Sequence, residues 1–314
     1  MRAGRPSNTA LIVAAGLQLV RPVAAVAASL PDEAIRRGEG LLRCAHPRVA
    51  GLLRRAWFRA LCLALERATL RGICLHFALR KRALRNHAEA AVAAGCSQVV
   101  VLGAGLDTLC LELQAAYPRL CCIEIDHPAT QQEKRRAAGA DGRRINFIGA
   151  DLAQRSLGEV LASCPAFRRD APTLFVAEGL LMYVPLAAVA ALFAQMAAAA
   201  PDSQVAFTWM EPQSDGRPNF RQRSRLVDFW LKLRGEPMLS SMPRAGLVRF
   251  LRDAGFAMEG VHESVELLGQ LQRHALGPEG LPIAGEYICF ARASPQANDS
   301  GGRAVILRTP VPLV

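Results

Sequence analysis

The sequence predicts a doubly wound α/β fold with a mostly parallel sheet, preceded by a cap of helices. Three observations carry this reading. The first 95 residues show apolar spacing of helical period and almost no strand signal. From Gln98 onward, short apolar runs alternate with helical segments, as in strands joined by crossover helices. The first of those runs, Val99 to Leu102, breaks directly into Gly103-Ala104-Gly105. A strand, a glycine turn and a following helix form the corner at which such sheets cradle nucleotides.

Four helices are predicted before the sheet: Thr9–Val20, Pro31–Leu42, Val49–Thr69 and Phe77–Ala94. The first contains the apolar run Ala10–Val20, with Arg2 and Arg5 before it and Ala25-Val26-Ala27, which mimics a cleavage site, after it. Arg21-Pro22 interrupts that order, and the run is too short to span a bilayer, so a packed helix is expected rather than a signal peptide. Seven strands follow: Gln98–Leu102, Leu120–Ile125, Ile145–Ile148, Thr173–Ala177, Gln204–Trp209, Glu259–Leu267 and Gly285–Ala291. Between them the helical segments are Thr108–Tyr117, Ala129–Gly139, Ser156–Cys164, Pro185–Ala200 and Pro243–Ala254.

The expected organisation is a cap over residues 1–95, belonging to the same domain as a core over 96–293, with a tail over 294–314. An extra stretch, 211–242, interrupts the core after the fifth strand and includes the amphipathic segment Phe220–Leu233. An insertion there lies over the carboxyl ends of the strands, where ligands bind in such sheets. The tail begins Ser-Pro-Gln-Ala-Asn-Asp-Ser-Gly-Gly, a linker composition.

Of the 314 residues, 51% are apolar and 21% charged, the balance of a soluble globular chain. The net charge of +11 is unevenly placed: residues 1–98 hold 16 Lys/Arg against 5 Asp/Glu, and residues 99–314 hold 22 of each. A basic excess suits nucleic acid, an anionic membrane surface or an acidic substrate, but most such charge is a solvated helix face. No aromatic residues interleave with the basic ones as a stacking platform requires, so nucleic acid is not expected as a partner. The nine cysteines include no CxxC pair and sit mostly in apolar stretches, which implies neither a disulfide framework nor a zinc site. A reducing cytoplasm is the expected compartment.

Five features point to a ligand. The corner reads Gly103-x-Gly105-x-x-Thr108, with Thr108 where a dinucleotide fingerprint has its third glycine. Asp107 stands where a pyrophosphate has to approach; a carboxylate repels phosphate and suits an ammonium, which favours S-adenosylmethionine over a nicotinamide dinucleotide. Asp126 ends the second strand, 23 positions after Gly103, near the spacing at which an acid meets ribose hydroxyls. Glu124 shares its face by alternation, so either can be the ribose ligand, and strand-end position favours Asp126. Asp151 and Leu152 follow the third strand, an acceptor for an adenine amino group beside an apolar cover for the ring. Glu178, after the apolar fourth strand, emerges into the cleft, where a cation would stabilise its charged form. Arg80, in Arg80-Lys81-Arg82 on the helix leading to the first strand, can clamp a carboxylate.

In this order and spacing the motifs resemble the leucine carboxyl methyltransferase family of class I S-adenosylmethionine-dependent methyltransferases. The residues that carry the resemblance are Gln98–Thr108, Glu124-Ile-Asp-His-Pro128 followed by Lys134, Ala150-Asp-Leu152 and Ala177–Tyr183. Weaker similarity extends to the Thr9-Ala10 helix and the final strand. The resemblance implies a Rossmann-like seven-stranded sheet with its last strand antiparallel, and S-adenosyl-L-methionine as cofactor. It makes Arg80 the ligand of the methionine carboxylate, brings Gly103 and Gly105 close to the cofactor and puts Asp126 on the ribose. Asp151 and Leu152 then hold adenine, and Glu178 faces the methionine end. One departure stands out: an Asp commonly follows the Arg by five residues, and here that position is Arg85.

The expected reaction is methyl transfer to a carboxylate or hydroxyl oxygen of a small molecule or peptide. No metal is required, no catalytic residue is assigned, and Tyr183 is a candidate substrate contact. Arg54, Arg55 and Arg59 of the cap are candidates for holding an anionic substrate. The rival readings are an NAD(P)-dependent oxidoreductase, a nucleic-acid methyltransferase and a non-catalytic cofactor-binding protein.

Overall fold

The computed structural model describes residues 8–20, 32–200, 202–221, 237–268 and 282–294, and among these described residues five helices precede the sheet. They are α1 (Asn8–Val20), α2 (Asp32–Ala45), α3 (Pro47–Leu53), α4 (Ala56–Thr69) and α5 (Ile73–Ala93). The alternating region then gives β1 (Gln98–Leu102), α6 (Leu109–Ala116), β2 (Cys121–Asp126), α7 (Pro128–Ala138) and β3 (Ile145–Gly149). It continues with α8 (Leu157–Ala162), β4 (Thr173–Ala177), α9 (Leu186–Ala199), β5 (Gln204–Met210), α10 (Arg244–Asp253), β6 (Phe256–Glu263) and β7 (Glu286–Ala293).

The strands form one sheet in the order β3-β2-β1-β4-β5-β7-β6. The first five pair in parallel, and β7 runs antiparallel to both β5 and β6. Strand order reverses between β1 and β4, a switch point that leaves a crevice at the carboxyl ends. Two registers set what stands around it. Asp126 pairs with Gly149 at the ends of β2 and β3, and Glu286 pairs with Met210, so the antiparallel β7 starts at the edge where β5 finishes.

Alternation along the strands builds a core on each side of the sheet. Val100, Leu102, Ile123, Ile125, Phe175 and Ala177 face Val160, Val189, Phe193 and Met196 of α8 and α9. Val99, Val101, Cys122, Leu174 and Val176 face Leu84, Ala88, Cys110 and Leu113 of α5 and α6. A parallel sheet covered on both faces needs such continuous apolar strands, which is why β1 and β4 are buried at every position. Phe193 anchors the first core, meeting Phe207, Phe250 and Phe256 edge to face.

The cap helices pack on one another and onto the core. Ala14 and Leu19 of α1 join Phe77, Ala78 and Leu79 of α5 in a third apolar cluster with Met182 and Met210. The expected helix Val49–Thr69 is two helices, broken at Arg54-Arg55, where Arg55 takes an extended conformation (φ −87°, ψ 125°). The sixth strand also starts earlier than its spacing suggests, at Phe256, because a bulge between Met258 and Gly260 breaks its alternation. Of the 211–242 stretch, the described residues tie to the carboxyl edge: Leu239 and Ser240 N–H groups donate to the Met182 carbonyl, and Met242 N donates to Met210 O. The segment 222–233, the Ala25–Ala27 site and the tail beyond Ser294 lie outside the described residues. Among the described residues no helix is long and apolar enough to cross a membrane.

Candidate functional site

The glycine corner is built by backbone geometry. Gly103 and Gly105 both sit at positive φ (65° and 48°), conformations that side chains other than glycine rarely adopt. Space is short as well: a Cβ on Gly103 would lie 2.9 Å from Leu180, and one on Gly105 would lie 2.8 Å from Ala10 of α1. Both glycines are therefore required by protein neighbours, whatever ligand approaches from the open side.

Asp126 fastens the corner to β2. Its Oδ2 accepts from Gly105 N at 2.6 Å and its Oδ1 accepts from His127 N at 2.6 Å. Each oxygen keeps lone-pair capacity for a further donor. Burial raises its pKa, against the pull of those two amides. A buried carboxylate in that state gains from additional hydroxyl donors. Glu124 points elsewhere: its carboxylate meets Lys134 of α7 at 2.6 Å, and both side chains are out of water. The pair of acids left open by sequence is thus divided, with Asp126 at the corner and Glu124 in an ion pair beneath it.

Asp151 and Leu152 follow β3. The Asp151 carboxylate accepts from Ala153 N (3.0 Å) and from the Gln154 side chain (3.1 Å), which shapes the turn leading to α8. Leu152 packs against the core under that turn. Beside β4, Glu178 precedes Gly179 (φ 59°), whose N–H donates to Thr208 Oγ1 at 2.8 Å. Tyr183 ends a short 3-10 turn and packs on the cap cluster.

Arg80 and Lys81 converge on Glu178. Arg80 Nε donates to Oε1 at 2.8 Å and Lys81 Nζ donates to Oε2 at 2.8 Å. Lys81 continues to Asp107 Oδ1 (2.6 Å), and Arg80 Nη1 continues to Glu286 Oε2 (2.9 Å). His76 extends the chain, with Nε2 at 2.5 Å from Glu286 Oε2 and Nδ1 at 2.6 Å from Ser264 Oγ. Burial pushes the Glu286 carboxyl up, but the Arg80 charge and hydrogen bonds from His76 and Thr208 outweigh it and hold the pKa at about 2. Asp107 behaves alike: burial raises it, and Lys81 and Lys134 pull it below its ordinary value.

Two sequence readings change here. Asp107 does not present a bare charge to a ligand, since Lys81 neutralises it and its Oδ1 accepts from Thr108 N at 2.7 Å at the start of α6. Arg59 is not a free substrate clamp: its guanidinium donates to the carbonyls of Gln18 and Leu19, both at 3.0 Å, and so caps α1. Arg54 and Arg55 are exposed. Arg80 has two of its nitrogens on protein carboxylates, while Nη2 lies 3.6 Å from where a Gly179 Cβ would stand. Arg85 turns away onto Glu89 and Glu112.

Sequence reasoning missed Lys81, Glu286, His76 and Ser264. Only Lys81 left a signal, as the neighbour of Arg80; the others join through contacts 188 to 210 residues apart. Together, Asp107, Glu178 and Glu286 set three carboxylates against the two fixed cations Arg80 and Lys81. Such a balance fits a ligand group that carries positive charge, as the methionine end of S-adenosylmethionine does. The backbone-held Asp126 fits a ribose diol.

A doubly wound sheet with β7 reversed and an acid at the end of β2 is the arrangement that the sequence's resemblance to class I methyltransferases implies. The leucine carboxyl methyltransferase family model matches residues 24–197, and the chain belongs to that family. A Streptomyces coelicolor protein provisionally named an S-adenosyl-L-methionine-dependent methyltransferase is 32% identical over 236 residues, 70% of this chain and 74% of that one. A Mycobacteroides abscessus protein with the same provisional name is 35% identical over 152 residues, 47% of this chain. That match spans about half the relative's own length, 48%. Among solved structures, a DUF574 family protein from Streptomyces avermitilis superposes with a TM-score of 0.54 at 13% identity, covering 89% of this chain and 97% of that one. A Thermobifida fusca protein provisionally named a methyltransferase gives 0.53 at 15% identity, covering 81% and 94%. These two likenesses show the shared fold.

Proposed function

We propose that the protein is an S-adenosylmethionine-dependent methyltransferase acting on an oxygen of a carboxylate or hydroxyl, in a small molecule or a peptide. The observation that supports this most is the placement of Asp151, Asp126, Gly103 and Glu178 just at or after the carboxyl ends of four adjacent strands, β3, β2, β1 and β4. Family membership and the relatives' names support the same reading.

In this reading Asp126 accepts from the ribose hydroxyls through the lone pairs that Gly105 and His127 leave available. Asp151 receives the adenine amino group and Leu152 covers the ring. Glu178, braced by Arg80 and Lys81, offers negative charge to the methionine ammonium, and Arg80 Nη2 meets the methionine carboxylate. When bound, S-adenosylmethionine supplies an electrophilic methyl group on a sulfonium. A carboxylate acceptor is already ionised at neutral pH and needs no general base, so the protein's work is alignment and exclusion of water. Alignment of that kind contributes up to about 7–11 kcal/mol in well-oriented systems.

The test is incubation with methyl-tritiated cofactor and a panel of carboxylate and hydroxyl acceptors. Label that is released as volatile methanol in mild base marks a carboxyl methyl ester; base-stable label marks an ether. Transfer to nitrogen or nucleic acid alone would overturn the O-methyl reading. Binding of NADH with no binding of S-adenosylmethionine would overturn the methyltransferase reading.

A further inference from the structure

Helix α4 is the odd member of the cap, because none of its fourteen residues is buried. Phe58, Cys62 and Leu63 rest against the cap cluster from its inner side. Its outer side is an apolar stripe: Trp57, Ala60, Leu61, Ala64, Leu65 and Ala68 are all exposed and follow the i, i+3, i+4 spacing of one helix face. Trp57, Leu61 and Leu65 are 62%, 56% and 61% exposed. Large side chains clustered in water on a single face mark a docking surface.

Charge identifies the partner. Arg54 and Arg55 precede the stripe, Arg67 flanks its last turn, Arg71 follows it, and all four are exposed. Between Glu39 and Glu89 the sequence holds a single acid, Glu66, whose Oε1 accepts from Cys74 N. A second copy of the chain would bring two sets of arginines together around a desolvated stripe, a like-charge contact. A nucleic acid would engage the arginines and leave Leu61 and Leu65 in water. A bilayer with anionic headgroups takes both parts at once, the stripe into the headgroup boundary and the guanidinium groups onto lipid phosphates.

We infer that α4 docks the protein on an anionic lipid surface, with Trp57, Leu61 and Leu65 as the inserted residues and Arg54, Arg55, Arg67 and Arg71 as the electrostatic contacts. The inference stands apart from the cofactor site and does not depend on it.

Flotation of the full chain with vesicles of phosphatidylcholine, alone or mixed with phosphatidylglycerol, tests it. The protein floats with the mixed vesicles, at least ten-fold less with the neutral ones, and is released as salt rises well past about 0.1 M. Its tryptophan emission shifts to the blue on binding, and the shift is lost in Trp57→Phe. The double variant L61E/L65E, changed only at exposed positions, keeps its melting temperature and loses flotation. Failure to float with anionic vesicles, equal binding to both vesicle types, or flotation undiminished in L61E/L65E would overturn the inference. So would a solution dimer of the wild type that L61E/L65E converts to monomer, which would make the stripe a self-interface.

Discussion

Arg80 and Glu286 stand 206 residues apart in sequence and 2.9 Å apart in the fold, both buried. Arg80 comes from the helix that leads into β1, and Glu286 from the first position of β7. The reversal of β7 puts its beginning, not its end, at the carboxyl edge of the sheet. That topology lets a residue near the end of the chain hold an arginine from the cap.

Removing Glu286 takes away one of the two carboxylates that hold that arginine, the other being Glu178. Glu286→Ala is expected to destabilise the fold by at most about 3–5 kcal/mol, the usual cost of breaking a buried pair, because Glu178 still compensates part of the charge. Glu286→Gln, which keeps the shape and part of the hydrogen bonding, should cost less. The pH dependence follows from the depressed pKa of about 2. The unfolded chain binds this proton first as pH falls, so stability attributable to Glu286 is present above about pH 4.5 and is lost between there and about pH 2. Denaturant melts of wild type and Glu286→Gln across that window measure it; the two curves should converge toward the acid end.

Glu112 predicts the opposite slope. Burial raises its pKa to about 7, although Thr108 donates to it and Arg85 lies 3.0 Å away. The folded state therefore holds this proton longer than the unfolded chain, and stability declines as pH rises from about 4.5 to about 7. Glu112→Gln should flatten that decline, by as much as about 3 kcal/mol at the upper end. Parallel slopes for the two proteins over pH 5 to 7 would contradict it.

The Glu124–Lys134 pair is closed off from solvent on both sides, at 2.6 Å. Lys134→Met alone is expected to cost about 3–5 kcal/mol, because Glu124 loses its counter-ion in the core. Changing both, Lys134→Met with Glu124→Leu, should recover most of that loss. A double variant as unstable as the two single variants summed would show that the two side chains are not a coupled unit.

At the corner, Gly103→Ala and Gly105→Ala each impose positive φ on a residue with a Cβ and press it against Leu180 or Ala10. Each should lower stability by roughly 1–3 kcal/mol before any ligand is added. Thermal melts of the unliganded variants check this, and a melting temperature equal to wild type would contradict it.

How much of this was legible in the sequence depends on how local each feature is. The strands β1 and β4 are found with the bounds that their apolar runs predict, because a doubly covered parallel strand needs an unbroken run. The break at Arg54-Arg55 was hidden, since both halves carry helical spacing and neither Gly nor Pro marks the join. The start of β6 was hidden by its bulge. Asp126, Asp151 and Glu178 were visible because each lies at the end of its own strand or within two residues of it. Glu286, His76 and Ser264 were not, because only strand order brings them together. In the sequence Asp107 is a lone charge, and only the fold puts Lys81 on it.

The ribose assignment of Asp126 is the point on which the cofactor site turns, and calorimetry tests it directly. Wild-type protein is expected to bind S-adenosylmethionine and S-adenosylhomocysteine. Asp126→Ala should bind both more weakly by about 1.5–3 kcal/mol, roughly 10- to 150-fold, the worth of hydrogen bonds to a charged group. Undiminished binding by the variant would contradict the assignment, and no binding of either ligand by the wild type would contradict the methyltransferase reading itself.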